Sequence, residues 1–315
     1  MPKEVFDFYD RTSLKSYNLD KSMQYQLNIL GSLDVFTRKH SENVASVVCR
    51  ICQYLHCTKS FTEYCTICAY LHDIGKQFIP PSILQKHSQL TDEEYEIMKK
   101  HTTIGYKICM DDLKLRPYAA GTLYHHEALN GSGYPQGLTK KDIPYEGQII
   151  RVADEYDAIV SKRQYKSHVG ISDTLKILLD EAKPSTTPDY SGTLKQMSDN
   201  AKLGKTNPLI VRTLFKVVID DIGYEITCTQ SYVDNLEKEL KRFKKINKYQ
   251  QKMDTAVKES DKEYYLEYIK MLLKPGETIE NYNSIHEEYL NAYNTRKAII
   301  DNLYSEIKSI KKLKI

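Results

Sequence analysis

Residues 68–76 read Cys68-Ala69-Tyr70-Leu71-His72-Asp73-Ile74-Gly75-Lys76. The chain is apolar at helical spacing from Phe61 onward, which predicts a buried helix that ends at His72 and Asp73. An imidazole and a carboxylate at the end of a buried helix are costly to remove from water unless something compensates them. A divalent cation is the simplest compensation, so this stretch predicts a metal site in a helical protein.

Further candidate ligands occur in similar surroundings elsewhere in the chain. They lie on or at the ends of apolar, helix-forming stretches: His40, His101, His125, His126 and Asp154. A single histidine is more often a hydrogen-bonded core or surface residue than a ligand. Five histidines and two aspartates in such positions are harder to explain one by one. Imidazole and carboxylate ligands without cysteine favour iron, manganese or another first-row ion.

The cysteines offer an alternative metal site. The pairs Cys49-x2-Cys52 and Cys65-x2-Cys68 have a spacing that resembles a zinc finger. Each pair lies inside a strongly apolar helical stretch, where cysteine packs as a small hydrophobic residue. We therefore expect these cysteines to be structural.

The composition limits the partners and the compartment. The chain carries 45 Lys and Arg against 42 Asp and Glu, which argues against a nucleic acid polymer as the partner. No apolar run approaches the roughly 18 residues that a membrane span requires, and the N-terminus is charged where a signal peptide would be apolar. An odd number of cysteines, seven, favours reduced thiols. We expect a cytoplasmic protein without a membrane span.

The pattern of apolar residues predicts an all-α fold. Thr91 and Glu94 form a capping box that opens a helix through Ile108, and no convincing strand-period run is present. Further helices are predicted over residues 117–129, 147–160 and 209–222. Three parts are expected: an N-terminal helical segment over 1–34, a main domain over 35–229, and a C-terminal helical segment over 230–315.

The C-terminal segment has two apolar stripes at helical spacing. One runs from Val233 to Val257 and the other from Ile279 to Ile310, with Pro275-Gly276 between them. A Pro-Gly pair between two such stripes predicts a turn, and therefore a helical hairpin that resembles a coiled coil. Such a hairpin can pack on itself, on the main domain or on a second subunit, so a homodimer or a protein partner through residues 230–315 is possible.

Several ordered motifs together resemble one known family. They are His72-Asp73-Ile74-Gly75-Lys76, then His101, then HHEALNGSGYPQGL at 125–138, then ADEYDAIVSKRQYK at 153–166. This set resembles the HD-GYP branch of the HD-domain metal-dependent phosphohydrolases over roughly residues 35–225. The resemblance implies an HD-domain helical bundle and a phosphodiesterase that hydrolyses cyclic di-GMP to pGpG, to GMP, or to both.

The resemblance also implies roles for individual residues. The implied metal ligands are His40, His72, Asp73, His101, His125, His126 and Asp154, with Asp73 bridging two ions. Lys76 is implied to lie near the scissile phosphate, and Arg163 and Lys166 match basic residues that hold phosphate. The loop from 130 to 137 is implied to shape the substrate cleft, with Gly133 adopting unusual backbone angles beside Tyr134 and Pro135. Glu127 and Asp157 are expected to support the ligands or the helix packing.

One position departs from part of the family. Some members carry a glutamate one helical turn before the residue that matches His40, and this glutamate helps to hold a third metal. Here that position is Phe36, so two metals are expected, with a hydroxide that bridges them as the nucleophile. Two alternatives stay open: an HD-type phosphohydrolase for another cyclic dinucleotide or nucleotide, and a signalling scaffold that acts through its C-terminal helices.

Overall fold

The computed structural model describes residues 19–33, 35–86, 88–161, 170–184 and 203–313. Within these ranges the chain is helical, and its only β pairing is an isolated bridge between Asn130 and Thr139. The predicted all-α class is confirmed. The chain divides into two compact units, one that runs to Val218 and one from Ile219 to Lys312, whereas the sequence placed the boundary at residue 230.

The first unit is built from short and medium helices. In chain order they are α1 (Lys21–Leu33), α2 (Val35–Tyr54), α3 (Lys59–Leu71), α4 (Pro81–Leu84), α5 (Asp92–Lys99), α6 (His101–Asp111), α7 (Ala119–Tyr124), α8 (Tyr145–Ser161), α9 (Ile171–Glu181) and the first residues of α10 (Pro208–Thr255). Two 3-10 segments, Ile74–Phe78 and Arg116–Tyr118, precede α4 and α7. No helix among the described residues is both long and apolar enough to span a membrane.

Helices α2 and α3 supply the centre of the first unit. Val44, Val48 and Ile51 recur at three- and four-residue steps on α2 and are fully buried. The four cysteines of the two spaced pairs are buried on the same two helices as free thiols. Among the described residues, the side-chain groups placed to hold a metal ion contain only histidine and aspartate. The cysteines therefore act as small core residues, as expected from their apolar neighbours.

A close backbone contact connects the end of α3 to the start of α6. A Cβ atom on Gly75 would lie 1.9 Å from the carbonyl oxygen of His101 and 2.6 Å from the backbone nitrogen of Gly105. No residue with a side chain fits this position without moving backbone. Glycine therefore lets the segment that follows Asp73 lie directly against the helix that begins at His101.

The predicted helix boundaries meet two different outcomes near the site. The capping box is confirmed, because the Thr91 hydroxyl accepts from the Glu94 N–H and the Glu94 carboxylate accepts from the Thr91 N–H. The single helix predicted from there through Ile108 is wrong, because α5 ends at Lys99 and a separate helix, α6, begins at His101. The helix predicted over 117–129 is wrong in its end, since α7 stops at Tyr124. The reason is non-local: the Leu129 N–H donates to the carbonyl of Lys205, and the Leu129 carbonyl accepts from the Lys140 N–H.

The second unit contains three helical stretches, where the sequence predicted a two-helix hairpin. They are the remainder of α10, α11 (Glu259–Leu272) and α12 (Tyr282–Lys312). The break at Pro275-Gly276 is present, with Gly276 at a φ of +88°. Nothing in the sequence between Thr255 and Glu259 signals the additional break, because no glycine or proline lies there.

The core of this second unit explains the additional helix, α11, and the sequence of α10 explains why that helix is longer than predicted. Ile269 of α11 packs in one buried cluster with Phe243 and Ile246 of α10 and with Tyr282 of α12. This packing requires the chain to turn back after Thr255. The helix predicted over 209–222 does not end there, because Gly223 is accommodated inside α10 at a modest cost of about 1 kcal/mol.

Candidate metal centre

Helices of the first unit bring all seven predicted ligand residues together. Their positions are His40 on α2, His72 and Asp73 at the end of α3, His101 at the start of α6, His125 and His126 directly after α7, and Asp154 on α8. Three overlapping trios have donor atoms within 4.8 Å of one another: His101-His125-His126, His40-His72-Asp73 and His72-His125-Asp154. The convergence that the sequence could only suggest is present in the fold.

Asp73 lies at the centre of one half of this cluster. Its Oδ2 atom is 3.2 Å from Nε2 of His72 and 3.8 Å from Nε2 of His40. Its Oδ1 atom is 3.5 Å from Nε2 of His101. One carboxylate therefore faces three imidazoles with its two oxygen atoms.

Asp154 occupies the equivalent place in the other half. Its Oδ1 atom lies 2.9 Å from Nε2 of His40 and 3.9 Å from Nε2 of His72. Its Oδ2 atom lies 3.8 Å from Nδ1 of His126. The two carboxylates thus share His40 and His72, and the seven side chains form one cluster.

Three of the histidines are oriented by backbone carbonyl groups. Nδ1 of His72 lies 2.6 Å from the Ala69 carbonyl oxygen, and Nδ1 of His101 lies 2.7 Å from that of Met98. Nδ1 of His125 lies 3.0 Å from the Gly121 carbonyl oxygen. A carbonyl oxygen only accepts, so each Nδ1 carries the proton and each Nε2 presents a lone pair. Metal-binding histidines commonly have this arrangement, in which one ring nitrogen donates to an acceptor and the other is left to bind the ion.

Burial keeps the inner imidazoles neutral. It lowers the pKa of His101 to about 4 and holds the pKa values of His125 and His126 well below the usual range for histidine. Burial also opposes ionisation of Asp73, but nearby positive charge, including that of the Lys76 ammonium, outweighs it and holds the pKa of that carboxyl well below its usual range. Neutral imidazoles and an ionised carboxylate are the protonation states of metal ligands.

His40 differs from the other histidines because it lies between two carboxylates. Nε2 faces Asp154, while Nδ1 lies 2.6 Å from Oδ2 of Asp157, whose other oxygen accepts from the Asn43 amide at 3.1 Å. Burial would lower the pKa of His40, but the hydrogen bonds to Asp154 and Asp157 outweigh it and raise the pKa to about 10. Asp157 therefore orients His40, and an ion at Nε2 would take the place of a proton.

Two buried atoms of the cluster test whether a cation fits. Nε2 of His72 and Oδ1 of Asp73 are buried and make no hydrogen bond within the described structure. An unsatisfied buried polar group costs roughly 1–3 kcal/mol, and two of them face the same cluster. A divalent cation would satisfy both atoms, and the His and Asp donors suit a first-row metal. The residues present fit such an ion.

Lys76 lies at the edge of this cluster. Its ammonium nitrogen is 2.6 Å from Oδ2 of Asp73, and its side chain retains 21% exposure. The 3-10 segment Ile74–Phe78 places it three residues after the aspartate, on the same side. The Lys76 ammonium is therefore accessible from solvent and also lies next to the buried donor atoms of the cluster.

The loop that contains Gly133, Tyr134 and Pro135 is fastened to the histidine pair. The Tyr134 N–H donates to the carbonyl of His126 at 3.1 Å, and the Tyr134 ring stacks on the His126 imidazole with centroids 4.6 Å apart. The Glu127 carboxylate accepts from the backbone N–H groups of Gln136 and Leu138 at 2.7 and 2.8 Å. Glu127 therefore supports the loop, as the sequence suggested in general terms.

The expectation about Gly133 is corrected in one respect. Positive φ angles occur at Gly131 and Gly137, at +82° and +65°, and not at Gly133. A Cβ atom on Gly133 would instead lie 2.3 Å from the Ala128 nitrogen and 2.5 Å from the His126 carbonyl oxygen. The glycine is needed because the loop backbone passes directly over the chain that follows the histidine pair.

Four further residues bear on the site: one that the sequence did not indicate, two that lie outside the described residues, and Phe36. Arg151 was not identified as functional, yet it donates to the carbonyl groups of His126 and Glu127. Its spacing, three residues before Asp154 on one helix, was the available signal. Arg163 and Lys166, predicted to hold phosphate, lie outside the described residues. Phe36 lies on α2, one turn before His40, and is 59% exposed.

Comparison with known proteins agrees with this geometry. The family model described as the HD domain matches residues 24–186, just over half of the chain. A cyclic di-GMP phosphodiesterase of Thermotoga maritima is 44% identical over 144 residues, which are 45% of this chain and 39% of that protein. The cyclic di-GMP phosphodiesterase response regulator RpfG of Xanthomonas campestris pv. campestris is 44% identical over 97 residues, 30% of this chain and 26% of that protein.

A third relative has a different named substrate. The 3'3'-cGAMP-specific phosphodiesterase 2 of Vibrio cholerae is 33% identical over 152 residues, 47% of this chain and 29% of that protein. The chain thus covers well under half the length of each of these three relatives. The match of the family model and the ordered His and Asp motifs agree, and the chain belongs to the HD-domain family, in its HD-GYP branch.

Proposed function

We propose that this chain is a metal-dependent phosphodiesterase that hydrolyses cyclic di-GMP to pGpG, to GMP, or to both. The observation that carries the proposal is the convergence of five histidines and two aspartates on one buried cluster with unsatisfied donor atoms. Relatives that are named as cyclic di-GMP phosphodiesterases support the choice of substrate class.

The proposed metal site uses the seven clustered residues and holds two divalent ions. Asp73 would be the ligand shared by the two ions, because its two oxygen atoms face histidines on different sides. Iron or manganese is the proposed identity, since the donors are imidazole and carboxylate. When bound, such ions supply Lewis acidity, which activates water and neutralises negative charge on a phosphodiester.

The chain's own residues contribute orientation and charge. The backbone carbonyls behind His72, His101 and His125 hold the imidazoles in one tautomer. The Lys76 ammonium, at the edge of the cluster, is placed to stabilise charge that develops on a phosphate or leaving oxygen. Gly133, Tyr134 and Pro135 are proposed to shape the substrate cleft beside His126, and Arg163 and Lys166 are proposed to hold phosphate.

A second substrate is kept because one specific observation favours it. The relative from Vibrio cholerae is named as specific for 3'3'-cGAMP and matches 47% of this chain. The two cyclic dinucleotides differ in one purine base and share both phosphodiester bonds. The same cluster can therefore serve either substrate, and the choice depends on contacts with the bases.

A substrate panel tests the proposal. Protein reconstituted with Fe²⁺ or Mn²⁺ in the absence of oxygen would be incubated separately with cyclic di-GMP, cyclic di-AMP and 3'3'-cGAMP, and the products separated by anion-exchange chromatography. Asp73→Ala serves as the inactive control, and Asp180→Asn serves as the matched surface control because Asp180 pairs only with exposed Lys183 in the described structure. We expect turnover of cyclic di-GMP to pGpG or GMP by the native protein and by Asp180→Asn.

Each other result has a defined meaning. Preferential turnover of 3'3'-cGAMP would replace the proposed substrate and keep the reaction. No turnover of any of the three by metal-loaded protein would overturn the phosphodiesterase proposal in favour of a scaffold role.

A further inference from the structure

A line of aromatic rings leads from the histidine cluster toward solvent. The first ring is that of Tyr134, which stacks on His126 with an interplanar angle of 28°. The second is Tyr95, whose ring meets Tyr134 edge to face at a centroid distance of 6.3 Å. Tyr95 retains 47% exposure, so the outer end of this line is open to solvent.

One cation lies over both tyrosine rings. The ammonium nitrogen of Lys99 is 5.4 Å from the Tyr95 centroid and 5.7 Å from the Tyr134 centroid. Its acidic neighbour is Glu96 at 2.5 Å, a carboxylate that is 66% exposed. An ion pair with an exposed carboxylate is weak in water, so an incoming phosphate can replace Glu96 as the partner of Lys99.

Helix α5 has no evident packing role that accounts for Tyr95. None of its residues from Asp92 to Lys99 is buried. The helix is nevertheless fixed to the cluster, because the Met98 carbonyl accepts from Nδ1 of His101. Tyr95 and Lys99 are four residues apart and therefore lie on the same face of this helix.

We propose that Tyr95 and Lys99 form a nucleobase subsite beside the metal cluster. In this subsite a purine base of the cyclic dinucleotide stacks on Tyr95, and Lys99 contacts the phosphate that is not being hydrolysed. This inference rests on the proposed function and names residues that determine how its substrate binds. Aromatic stacking with a base is tolerant of sequence, and Tyr95 retains enough exposure, 47%, for a base to reach its ring.

The experiment compares four variants of the metal-loaded protein by steady-state kinetics with cyclic di-GMP. Tyr95→Ala is expected to raise KM by about 10-fold or more, the loss expected for one stacked base, while kcat falls much less. Tyr95→Phe keeps the ring and is expected to restore KM. Lys99→Met is expected to raise KM and to weaken its dependence on salt. Tyr25→Ala, which removes an exposed tyrosine on α1, is the matched control.

Two further measurements keep the outcomes distinct. The metal content of each variant shows whether the cluster is intact, and binding of a hydrolysis-resistant phosphorothioate analogue of cyclic di-GMP is measured by calorimetry. An unchanged KM and an unchanged affinity for the analogue in Tyr95→Ala would overturn the subsite while leaving the proposed function in place. If the native protein turns over no cyclic dinucleotide, a weaker affinity of Tyr95→Ala for the analogue still supports the subsite. Absence of binding by the native protein overturns both proposals.

Discussion

The Oδ2 atom of Asp157 lies 2.6 Å from Nδ1 of His40, although the two residues are 117 positions apart in the chain. Asp157 does not point into the cluster; it holds the imidazole whose other nitrogen does. Carboxylates behind metal-binding histidines fix the ring orientation and raise its basicity. The pair therefore connects α2 to α8 at the point where the proposed metal site needs rigidity.

We expect Asp157→Asn to weaken metal binding by about 10- to 100-fold, the usual effect of removing such a partner. The asparagine keeps the size of the side chain and removes its charge, so the fold should persist. Titration of the metal-free protein with Mn²⁺, followed by calorimetry, measures the change. Asp180→Asn should bind like the native protein, and equal affinities in Asp157→Asn would contradict the orienting role.

Asp73→Ala is expected to be the most damaging single change in the cluster. It removes the carboxylate that lies within 4 Å of three imidazoles, and those histidines then lose their shared anionic partner. Metal content should fall to background and hydrolysis of cyclic di-GMP should be lost with it. Elemental analysis of protein purified without oxygen provides the measurement. An Asp73→Ala variant with full metal content and full activity would contradict the assignment of Asp73 as a metal ligand.

The metal count is a separate prediction that depends on Phe36. This residue lies one helical turn before His40, at the position where some family members carry a glutamate, and it contributes no donor atom. We expect two ions per chain in the native protein and a shift toward three in Phe36→Glu. Elemental analysis of both proteins after removal of loosely bound metal tests this. Three ions in the native protein would contradict the prediction.

The part of the site that follows from local sequence was predictable. His72 and Asp73 end a buried helix, and the free-energy cost of removing them from water can be inferred from the sequence alone. Seven such residues with ordered motifs also indicated the family. The unsatisfied atoms on His72 and Asp73, by contrast, depend on the exact approach of other helices and could not be predicted.

Helix ends that depend on contacts between residues distant in the chain could not be predicted from the sequence. The end of α7 at Tyr124 is determined by the backbone hydrogen bonds of Leu129 with residues 140 and 205. The break before α11 arises because Ile269 packs against α10, and no local signal marks it. The subsite proposed at Tyr95 has no counterpart in the sequence pattern, since an exposed tyrosine on a polar helix carries no periodicity that separates a binding residue from a surface one.

The second unit supports a prediction about stability. Arg242 donates to both carboxylate oxygens of Glu277 at 2.6 Å and to the Leu272 carbonyl at 2.9 Å, and both charged side chains are largely buried. We expect Arg242→Ala to reduce the free energy of unfolding by about 1–3 kcal/mol. Lys241→Ala removes a 74% exposed lysine from the next position and should change it by less than about 0.5 kcal/mol. Urea denaturation followed by far-UV circular dichroism measures both.

The same ion pair makes a prediction about pH. The hydrogen bond from Arg242 holds the pKa of the Glu277 carboxyl below its ordinary value of 4.5. A carboxylate with a lowered pKa in the folded state stabilises the fold above its unfolded pKa, and this contribution is lost as pH falls through the folded value. The difference in unfolding free energy between native protein and Arg242→Ala should therefore be full at neutral pH and shrink below pH 4.5. A difference that grows in acid would contradict this assignment.

Gly133→Ala tests whether the close approach of the loop matters for catalysis. The added Cβ would meet the Ala128 nitrogen at 2.3 Å and the His126 carbonyl oxygen at 2.5 Å, and both are backbone atoms that cannot rotate away. The loop must therefore move, and Tyr134 moves with it. A displacement of about 1 Å near reacting groups can reduce the rate by about 100-fold, and we expect a loss of that order in kcat/KM for cyclic di-GMP.

The matched control is Gly223→Ala, where nothing lies within 4 Å of the new Cβ. That change should leave activity intact and raise stability by up to about 1 kcal/mol, because alanine is the better helix former. If Gly133→Ala keeps native kcat/KM, the loop does not position the substrate, and the roles proposed for Tyr134 and Pro135 fail with it.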